Sequence, residues 1–442
     1  QYDALNRRTK VTDPLGQSTT TVYDALGRIA SVTSAIIGQV TANSYDALGR
    51  LIQVTNALDG IIQYGYDANG NRISTIDSRG NATAVGYDAL DRRIKVTDAI
   101  GNTATTVYDA AGQVASITDK RGHTTTTSYD AGGHLIQITD ALGNVTQYSY
   151  DANGNRLTTT DALGRVMTTA YDVRNRVISR TDAADAISTI GYDAAGNIVS
   201  ETDRNGNTTQ YTYDVVNRRI KVTDALGNIT LLAYDAVGNR LSQTDQLDHV
   251  TATSFDDNNR PTATTDPLGN STTNVYDPVG RVLSSTDAKG QTTSFAYDLL
   301  NRLIKVTDAQ SGVVNYTYDA NGNRLSMTDA NETTTSYGYD VLNRKTTTTE
   351  ALGNITNVQY DALGNVTQRT DARGVNTQYE YDALNRLLTT TYPGPRTVSF
   401  THDAVGNRLQ MIESLGTTST TYDDRNRITQ INDPFGVTVQ YD

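Results

Sequence analysis

The feature that most constrains this chain is an aromatic residue followed by aspartate, which returns at a nearly fixed interval. The pair opens 22 units between Tyr2 and Asp442, most of them 21 residues apart, and the aspartate is present in every one. A fixed period of this length is typical of repeat proteins, in which each unit buries little surface alone and depends on its neighbours. We therefore expect a single continuous repeat array over residues 1–442, and any function must belong to the array.

Each repeat contains two turn signals of the same kind. The first is Tyr-Asp-x-x-Gly/Asn, as in residues 66–70, and the second is Thr-Asp-x-x-Gly, as in residues 223–227. Aspartate at the first position of a type I turn accepts backbone hydrogen bonds, and Gly or Asn at the fourth position tolerates a positive φ. We therefore assign structural roles in the repeat to Tyr66, Asp67, Gly70, Asp77, Gly80, Tyr150, Asp151, Gly154, Arg156, Asp161, Gly164, Tyr318, Asp319, Gly322 and Arg324.

The segments between the turns alternate with a period of two, which predicts β-strands. Ile94 and Val96 share one face, while Lys95 points to the other. Two hairpin turns per repeat make the chain run up and down, so we predict an all-β fold of tandem β-hairpins in a long antiparallel sheet. A parallel β-helix with one coil per repeat is the alternative. About 42 strands would make a sheet roughly 200 Å wide, and open sheets rarely exceed about ten strands without curling. We expect the sheet to spiral into a hollow shell or tube.

The composition fits a thin sheet and excludes several kinds of partner. Only 37% of the residues are hydrophobic, with glycine left out, and ordinary domains contain about 45–50% apolar residues when glycine is counted. A net charge of -12 argues against nucleic acid, whose phosphates need an excess of Lys and Arg. The sequence contains no cysteine, which excludes a disulfide framework and a cysteine zinc site. No apolar run approaches the roughly 18–20 residues of a membrane span.

The polar side chains of the repeat give little reason to predict chemistry. The aspartates recur in the same slot, whereas acid–base catalysis needs one special place, and we interpret them as turn caps. A row of calcium ions between aspartates is the alternative. The histidines occupy unrelated phases of the repeat, and the recurrent arginines are expected to stack on tyrosines or pair with turn carboxylates. We predict neither an enzyme nor a metal or cofactor site.

Tyrosines are the best candidates for a binding surface. The second strand of a repeat often ends in aromatic-x-Tyr, which places both rings on one face. Packing within a sheet that has little core is the simpler use of these rings. Stacking on glycan is the alternative, and its candidate residues are Tyr148, Tyr211, Tyr316, Tyr337 and Tyr379.

Two irregular features lie above the basic repeat. The fourth residue of the first turn alternates between Gly and Asn in much of the array, which adds a period of 42 residues. We expect alternate hairpins to face different surroundings. The proline-rich stretch 392–396 replaces one second turn and is a candidate for an irregular break.

The repeat resembles a known family. Residues 45–51, Tyr-Asp-Ala-Leu-Gly-Arg-Leu, and residues 276–283 follow the RHS/YD repeat pattern with little alteration, and the resemblance extends over essentially the whole chain. It implies a sheet coiled into a hollow shell, which encloses a C-terminal toxic domain in bacterial RHS proteins and insecticidal toxin complexes. Teneurins use a related shell for adhesion. The Asp-Pro-x-Gly motifs at Asp13, Asp266 and Asp433 occupy ordinary second turns, and the family's self-cleaving region is not matched around them.

The leading hypothesis is a structural shell or scaffold segment of a large exported bacterial protein. The array is expected to be a fragment of a longer chain, and its partners would be a cargo toxin domain outside this chain or further repeats of the same chain. One alternative is a secreted or cell-surface module for adhesion or carbohydrate binding, with a glycan or cell-surface partner. A second alternative is an extracellular fibre or surface layer built by end-to-end self-association. Nucleic acid and a membrane span are not expected.

Overall fold

The computed structural model describes residues 1–36, 38–394 and 396–441. These residues form 42 β-strands and no helix, so the described part of the chain offers no helix that could cross a membrane. The predicted all-β class is confirmed.

The strands are of two kinds, which alternate along the chain. Odd-numbered strands are mostly five residues long: β1 Lys10–Thr12, β3 Ile29–Thr33, β5 Leu51–Thr55, β7 Arg72–Ile76, β9 Arg93–Thr97, β11 Val114–Thr118, β13 Leu135–Thr139, β15 Arg156–Thr160, β17 Val177–Thr181, β19 Ile198–Thr202, β21 Arg219–Thr223, β23 Arg240–Thr244, β25 Pro261–Thr265, β27 Val282–Thr286, β29 Leu303–Thr307, β31 Arg324–Thr328, β33 Lys345–Thr349, β35 Val366–Thr370, β37 Leu387–Thr391, β39 Arg408–Glu413 and β41 Ile428–Asn432. Even-numbered strands are mostly six residues long: β2 Ser18–Tyr23, β4 Val40–Tyr45, β6 Ile61–Tyr66, β8 Ala82–Tyr87, β10 Thr103–Tyr108, β12 Thr124–Tyr129, β14 Val145–Tyr150, β16 Val166–Tyr171, β18 Ile187–Tyr192, β20 Thr208–Tyr213, β22 Ile229–Tyr234, β24 Val250–Phe255, β26 Ser271–Tyr276, β28 Thr292–Tyr297, β30 Val313–Tyr318, β32 Thr334–Tyr339, β34 Ile355–Tyr360, β36 Asn376–Tyr381, β38 Thr397–His402, β40 Gly416–Tyr422 and β42 Thr438–Gln440. First turns, which open with the aspartate of the aromatic-Asp pair, follow the even strands, and second turns follow the odd strands.

Both kinds of turn are closed by the carboxylate of their first residue. In the first turn after β4, the Gly49 N–H donates to the Asp46 carbonyl oxygen at 3.0 Å. Asp46 Oδ1 accepts hydrogen bonds from the N–H groups of Leu48 and Arg50, each at 2.9 Å. The second turn at Asp140 repeats this arrangement with its own downstream N–H groups. The aspartate therefore satisfies backbone donors that the reversal of the chain would otherwise leave without a partner.

The hairpins are antiparallel, and in the described residues the register shifts lie in hairpins that first turns close. Between β4 and β5, Ser44 pairs with Gln53 but Tyr45 pairs with Leu51, so one residue of β5 bulges out. Between β5 and β6, which a second turn connects, the register is continuous. The predicted combination of a type I turn with a bulge is therefore present at the first turns.

The fourth turn position has a left-handed backbone, as its residue types predict. Asn301, for example, has a φ of 65° and Gly154 a φ of 81°. Two second turns depart from the expected Gly, Asn and Asp: Ser311 has a φ of 68° and Glu332 a φ of 62°. A residue with a Cβ atom is strained in this region of the backbone. These two turns therefore lose some free energy of folding.

The strands have one better covered face and almost no core. Ile94 and Val96 of β9 are half-buried while Lys95 is exposed, and Val96 pairs across the strands with the half-buried Val85. Among the described residues, Val398 is the one hydrophobic side chain classed as buried, with 6% of its surface exposed. The expectation of a thin sheet is met.

The chain divides into two compact units. Unit 1 contains residues 1–101 and 230–355, and unit 2 contains residues 102–229 and 356–442. Each unit thus joins two stretches that are far apart in the sequence. The single array over residues 1–442 stays a prediction, as does the break at 392–396. In that stretch the Tyr392 N–H donates to the Arg396 carbonyl oxygen at 2.9 Å, and Pro395 lies outside the described residues.

Removing the left-handed strain at the fourth position of a second turn should stabilise the protein. Replacing Glu332 with glycine should raise the free energy of unfolding by about 0.5–1 kcal/mol, because the relief of left-handed strain exceeds the entropy that glycine adds to the unfolded chain. Urea unfolding followed by circular dichroism measures the change. Gly353→Ala is the matched control, since Gly353 has a φ of 80° and open space around an added Cβ, and it should destabilise the protein. A lower urea midpoint for Glu332→Gly would contradict the strain argument.

Candidate functional site

The first turns of successive repeats are joined by a row of contacts that we name the first-turn ladder. Arg50 Nε binds Asp46 Oδ2 at 2.7 Å within its own turn. Its guanidinium lies over the ring of Tyr66, 4.9 Å from the centroid, and Nη1 donates to the Asp67 carbonyl oxygen at 2.8 Å. The Tyr66 hydroxyl donates to the Leu51 carbonyl oxygen at 2.8 Å. One arginine and one tyrosine therefore connect each such turn to the next repeat.

The same contacts recur along the array. Arginines at the fifth turn position lie over the next tyrosine at 4.5 to 4.8 Å in the pairs Arg28–Tyr45, Arg281–Tyr297 and Arg302–Tyr318. Both predicted roles of the recurrent arginines, stacking on tyrosine and pairing with a turn carboxylate, are thus present in the same side chain.

Asparagine replaces arginine in alternate turns of the ladder. Asn323 Nδ2 donates to Asp319 Oδ2 at 2.8 Å and to Asn343 Oδ1 of the next first turn at 2.7 Å. The same link joins Asn155 to Asn175, Asn197 to Asn217, Asn239 to Asn259, Asn365 to Asn385, and Asn407 to Asn426. The 42-residue period therefore coincides with donor–acceptor pairing between neighbouring first turns. The different surroundings that we expected for alternate hairpins stay a prediction.

Inside unit 1, second turns of residues 1–101 contact first turns of residues 230–355. We name this contact the seam. Arg79 Nη1 lies 3.6 Å from Asp319 Oδ2 and donates to Asn343 Oδ1 at 3.0 Å, across 264 residues of sequence. Asn321 Nδ2 donates to Asp77 Oδ2 at 2.7 Å, across 244 residues. The seam joins turn to turn through side chains.

Unit 2 contains a seam of its own with the same chemistry. Arg121 Nη1 lies 3.4 Å from Asp361 Oδ2 and 3.2 Å from Asn385 Oδ1. Arg165 Nη2 donates to Asn426 Oδ1 at 3.0 Å. In each unit, then, turns at the strand ends of two distant stretches meet, as expected of a sheet that curls back on itself.

The tyrosines proposed for glycan stacking are half-buried, and arginines lie over most of them. The guanidinium-to-ring distances are 5.3 Å for Arg156–Tyr148, 4.1 Å for Arg219–Tyr211, 5.6 Å for Arg324–Tyr316 and 5.0 Å for Arg324–Tyr337. Tyr379 is also half-buried. Glycan binding by these five residues stays a prediction.

The residues given structural roles from sequence lie at turns and strand ends. The aspartates Asp67, Asp77, Asp151, Asp161 and Asp319 accept backbone N–H groups of their own turns. The glycines Gly70, Gly80, Gly154, Gly164 and Gly322 have φ between 78° and 95°. The hydroxyls of Tyr66, Tyr150 and Tyr318 donate to backbone carbonyls fifteen residues earlier. Sequence reasoning missed the seam, and no local signal marked it, because Arg373 shares the Asp-x-Arg-Gly pattern of Arg79 and Arg121 but binds the carboxylate of its own turn.

Several turn carboxylates have a lowered pKa, which favours their ionised form. Hydrogen bonds from the backbone and then the guanidinium of Arg50 keep the pKa of Asp46 below its ordinary value. For Asp151, the side chain of Asn155 and then its backbone lower the pKa. Within the described residues no group of three or more His, Asp or Glu could hold a metal ion. This environment suits turn closure better than proton transfer, which needs a pKa near the working pH.

Family comparison matches the chain to a known repeat. The family model described as RHS Repeat matches eight overlapping or successive segments, more than half of the chain: residues 108–144, 129–166, 150–187, 192–229, 234–271, 276–313, 318–355 and 360–397. The model described as Teneurin YD-shell matches residues 2–116. No curated protein shows significant sequence similarity to the chain.

Several solved structures share the fold. A chain of the Photorhabdus luminescens Tc holotoxin pore superimposes with a TM-score of 0.72 at 17% identity, covering 93% of this chain and 26% of that one. TcdB2-TccC3 gives 0.62 at 15% identity, covering 99% and 34%. TcdB2-TccC3 without its hypervariable C-terminal region gives 0.58 at 19%, covering 94% and 27%. Identity this low shows the fold alone, and the chain spans about a quarter to a third of the length of these structures.

The lowered carboxylate pKa values predict sensitivity to acid. Since the folded pKa values lie below the unfolded ones, the unfolded chain binds more protons at low pH, and acid favours unfolding. The stabilisation should be complete above about pH 5 and be lost progressively below the ordinary aspartate pKa of about 3.9. Thermal unfolding by circular dichroism across this range measures it. A melting temperature that stays constant from neutral pH to about pH 2 would contradict this role of the turn aspartates.

Replacing His402 with tyrosine is expected to stabilise the folded protein. His402 occupies an aromatic slot of the ladder, and burial lowers its pKa. A tyrosine there should donate to the Leu387 carbonyl oxygen, as Tyr318 donates to Leu303. His402→Tyr is expected to raise the free energy of unfolding by about 0.5–1.5 kcal/mol, the worth of one hydrogen bond. His402→Phe is the control without the hydroxyl, and equal urea midpoints for the two variants would refute the bond.

Proposed function

Because the chain belongs to the RHS repeat family, we propose that it forms part of the wall of a shell in a large exported bacterial protein. The shell encloses or presents a toxin domain that lies outside this chain. The role of the repeats is structural and not catalytic. The mechanism is enclosure: the wall separates the cargo polypeptide from its surroundings until release.

The observation that carries this proposal is a folded sheet with almost no core. Val398 is the one buried hydrophobic residue in the described part of the chain, yet 42 strands are paired in hairpins. Hydrogen bonds and stacked side chains at the turns supply connections that a hydrophobic core supplies in an ordinary domain. A thin sheet whose turns are joined by side-chain contacts is suited to form a wall.

The placement of the charged groups supports a structural role. Arginines and aspartates that could form an active site pair with each other inside turns, as Arg50 does with Asp46, or across a seam, as Arg121 does with Asp361. Solved structures that share the fold include a Tc holotoxin pore and TcdB2-TccC3. The match of residues 2–116 to a Teneurin YD-shell also favours a shell.

A cryo-EM map of the intact parent protein tests the proposal. The expected result is a closed wall that contains these repeats, with density for the cargo inside. Repeats that continue as an open, empty tube or filament would overturn it.

Protease protection provides an independent test on the same parent protein. A cleavage site placed in the cargo should resist the protease while the particle is native and should be cut after denaturation in urea. The matched control is the same site inserted beside Val173, whose side chain is fully exposed in a first turn, and it should be cut at once. Equal cleavage rates at the two sites in the native particle would contradict enclosure.

A further inference from the structure

The asparagines at the fourth position of alternate first turns accept hydrogen bonds from two directions. Asn343 Oδ1 accepts from Asn323 Nδ2 of the preceding first turn at 2.7 Å and from Arg79 Nη1 across the seam of unit 1 at 3.0 Å. Asn385 Oδ1 accepts from its neighbour in the first-turn ladder at 2.9 Å and from Arg121 Nη1 across the seam of unit 2 at 3.2 Å. We name such an asparagine a hub. Each hub joins the first-turn ladder to the seam through one amide oxygen.

The hubs and their seam donors keep a constant spacing in the sequence. The separations are 262, 264, 264 and 261 residues for the pairs Gln39–Asn301, Arg79–Asn343, Arg121–Asn385 and Arg165–Asn426. The first two pairs lie in unit 1 and the other two in unit 2. Successive donors are about two repeats apart, and so are successive hubs. Both sides of the seam therefore carry the two-repeat period, and the two sides are in phase.

The turns between the donors and between the hubs do not offer the same groups. The second turns between the donors have an apolar third residue, which cannot donate a hydrogen bond: Leu58, Ile100 and Leu142. The first turns between the hubs have a glycine at the fourth position, which has no side-chain acceptor: Gly322, Gly364 and Gly406. A shift of the seam by one repeat would therefore place the donors opposite glycines, whereas a shift by two repeats would place them opposite asparagines again.

The turns themselves do not require this alternation. Glycine and asparagine both tolerate the left-handed backbone, and φ is 60–65° at the hubs and 91–101° at the glycines between them. The carboxylate contacts of the seam do not distinguish alternate turns either. Asn321 binds Asp77 in a second turn that also carries a hub donor, and Arg425 binds Asp182 in a second turn of the other kind. The fourth position of the first turn is therefore where alternate repeats differ.

We propose that the hubs encode the register of the seam, so that two stretches join in full only when their shift is an even number of repeats. A register that no side chain specifies is prone to slip, and successive turns of this chain are nearly alike. The partner that the donor-bearing second turns select is a row of first turns with asparagine at every second fourth position. The inference concerns how the chain joins to itself, and it holds whether or not the wall encloses a cargo.

Deleting repeats between the donors and the hubs tests this code. Residues 213–233 make one repeat and residues 192–233 make two, and all four donors precede them while all four hubs follow. Loss of one repeat must either strain the sheet between the joined turns or place the donors opposite glycines. Loss of two repeats can place the donors opposite the next hubs. The melting temperature, followed by circular dichroism, should be lower for the one-repeat deletion than for the wild type and the two-repeat deletion. Any other order of the three would overturn the proposal.

The one-repeat deletion also removes the ladder link between Asn197 and Asn217. Asn217→Gly in the full-length chain is the matched control, because it removes the same link and glycine suits the φ of 63° at this position. The control should lower the melting temperature less than the one-repeat deletion does. An equal loss in the two proteins would assign the effect to the ladder and contradict a role of the seam.

New hubs should rescue the one-repeat deletion. A shift by one repeat places Gly322, Gly364 and Gly406 opposite the seam donors, and an added Cβ meets open space at all three glycines. Replacing the three with asparagine should raise the melting temperature of the one-repeat deletion, because the shifted seam then finds its acceptors. The same triple substitution should not raise the melting temperature of the full-length chain, in which these turns do not face the hub donors. A deletion variant that gains nothing, or an equal gain in both proteins, would refute the code.

Removing existing hubs tests the same inference without any deletion. Asn343→Gly with Asn385→Gly removes contacts in both the ladder and the seam. Asn175→Gly with Asn217→Gly is the matched pair, because these asparagines accept ladder bonds at 2.8 Å and no seam donor of the described residues contacts them. The hub pair should therefore lower the melting temperature more than the matched pair. An equal or smaller effect of the hub pair would show that the seam does not depend on the hubs.

Discussion

The structure depends on one interaction, the acceptance of backbone N–H groups by the carboxylate that opens each turn. Asp46 illustrates it with two such bonds at 2.9 Å. A reversal of the chain leaves backbone donors without strand partners, and an unpaired donor is costly where water is excluded. Because the carboxylate satisfies them within five residues, the hairpin can form without help from a distant core. The left-handed fourth residue then returns the chain to the next strand.

Regular turns place equivalent side chains in a row, which makes further contacts available. Arg50 can reach Tyr66 and Asp67 because successive first turns lie beside each other at the same end of the strands. Asparagine performs a related linking task in alternate turns, where Asn323 joins two turns through its amide. The hydrophobic contribution is spread thinly over half-buried residues. This explains how a polar sequence with few buried side chains can specify a defined sheet.

The same design suits the proposed role of these repeats as part of a shell wall. Contacts between turns are local and repeated, so the same pairs of side chains recur at many turns along the ends of the strands. The seams use some of these places, as Arg121 and Asp361 show.

The sequence by itself determined the strands, the turns and the residues that close them, because these features depend on contacts within a few residues. The aspartate at the first turn position and the Gly or Asn at the fourth position are local requirements, and the RHS/YD pattern could be read from them. The stacking of Arg50 on Tyr66 was also foreseeable, since it needs only neighbouring repeats in register. The seams were not foreseeable. Arg121 and Arg373 have the same local pattern but are 19% and 81% exposed, because only the tertiary structure, in which small twists between strands accumulate over a long sheet, decides which distant turns meet.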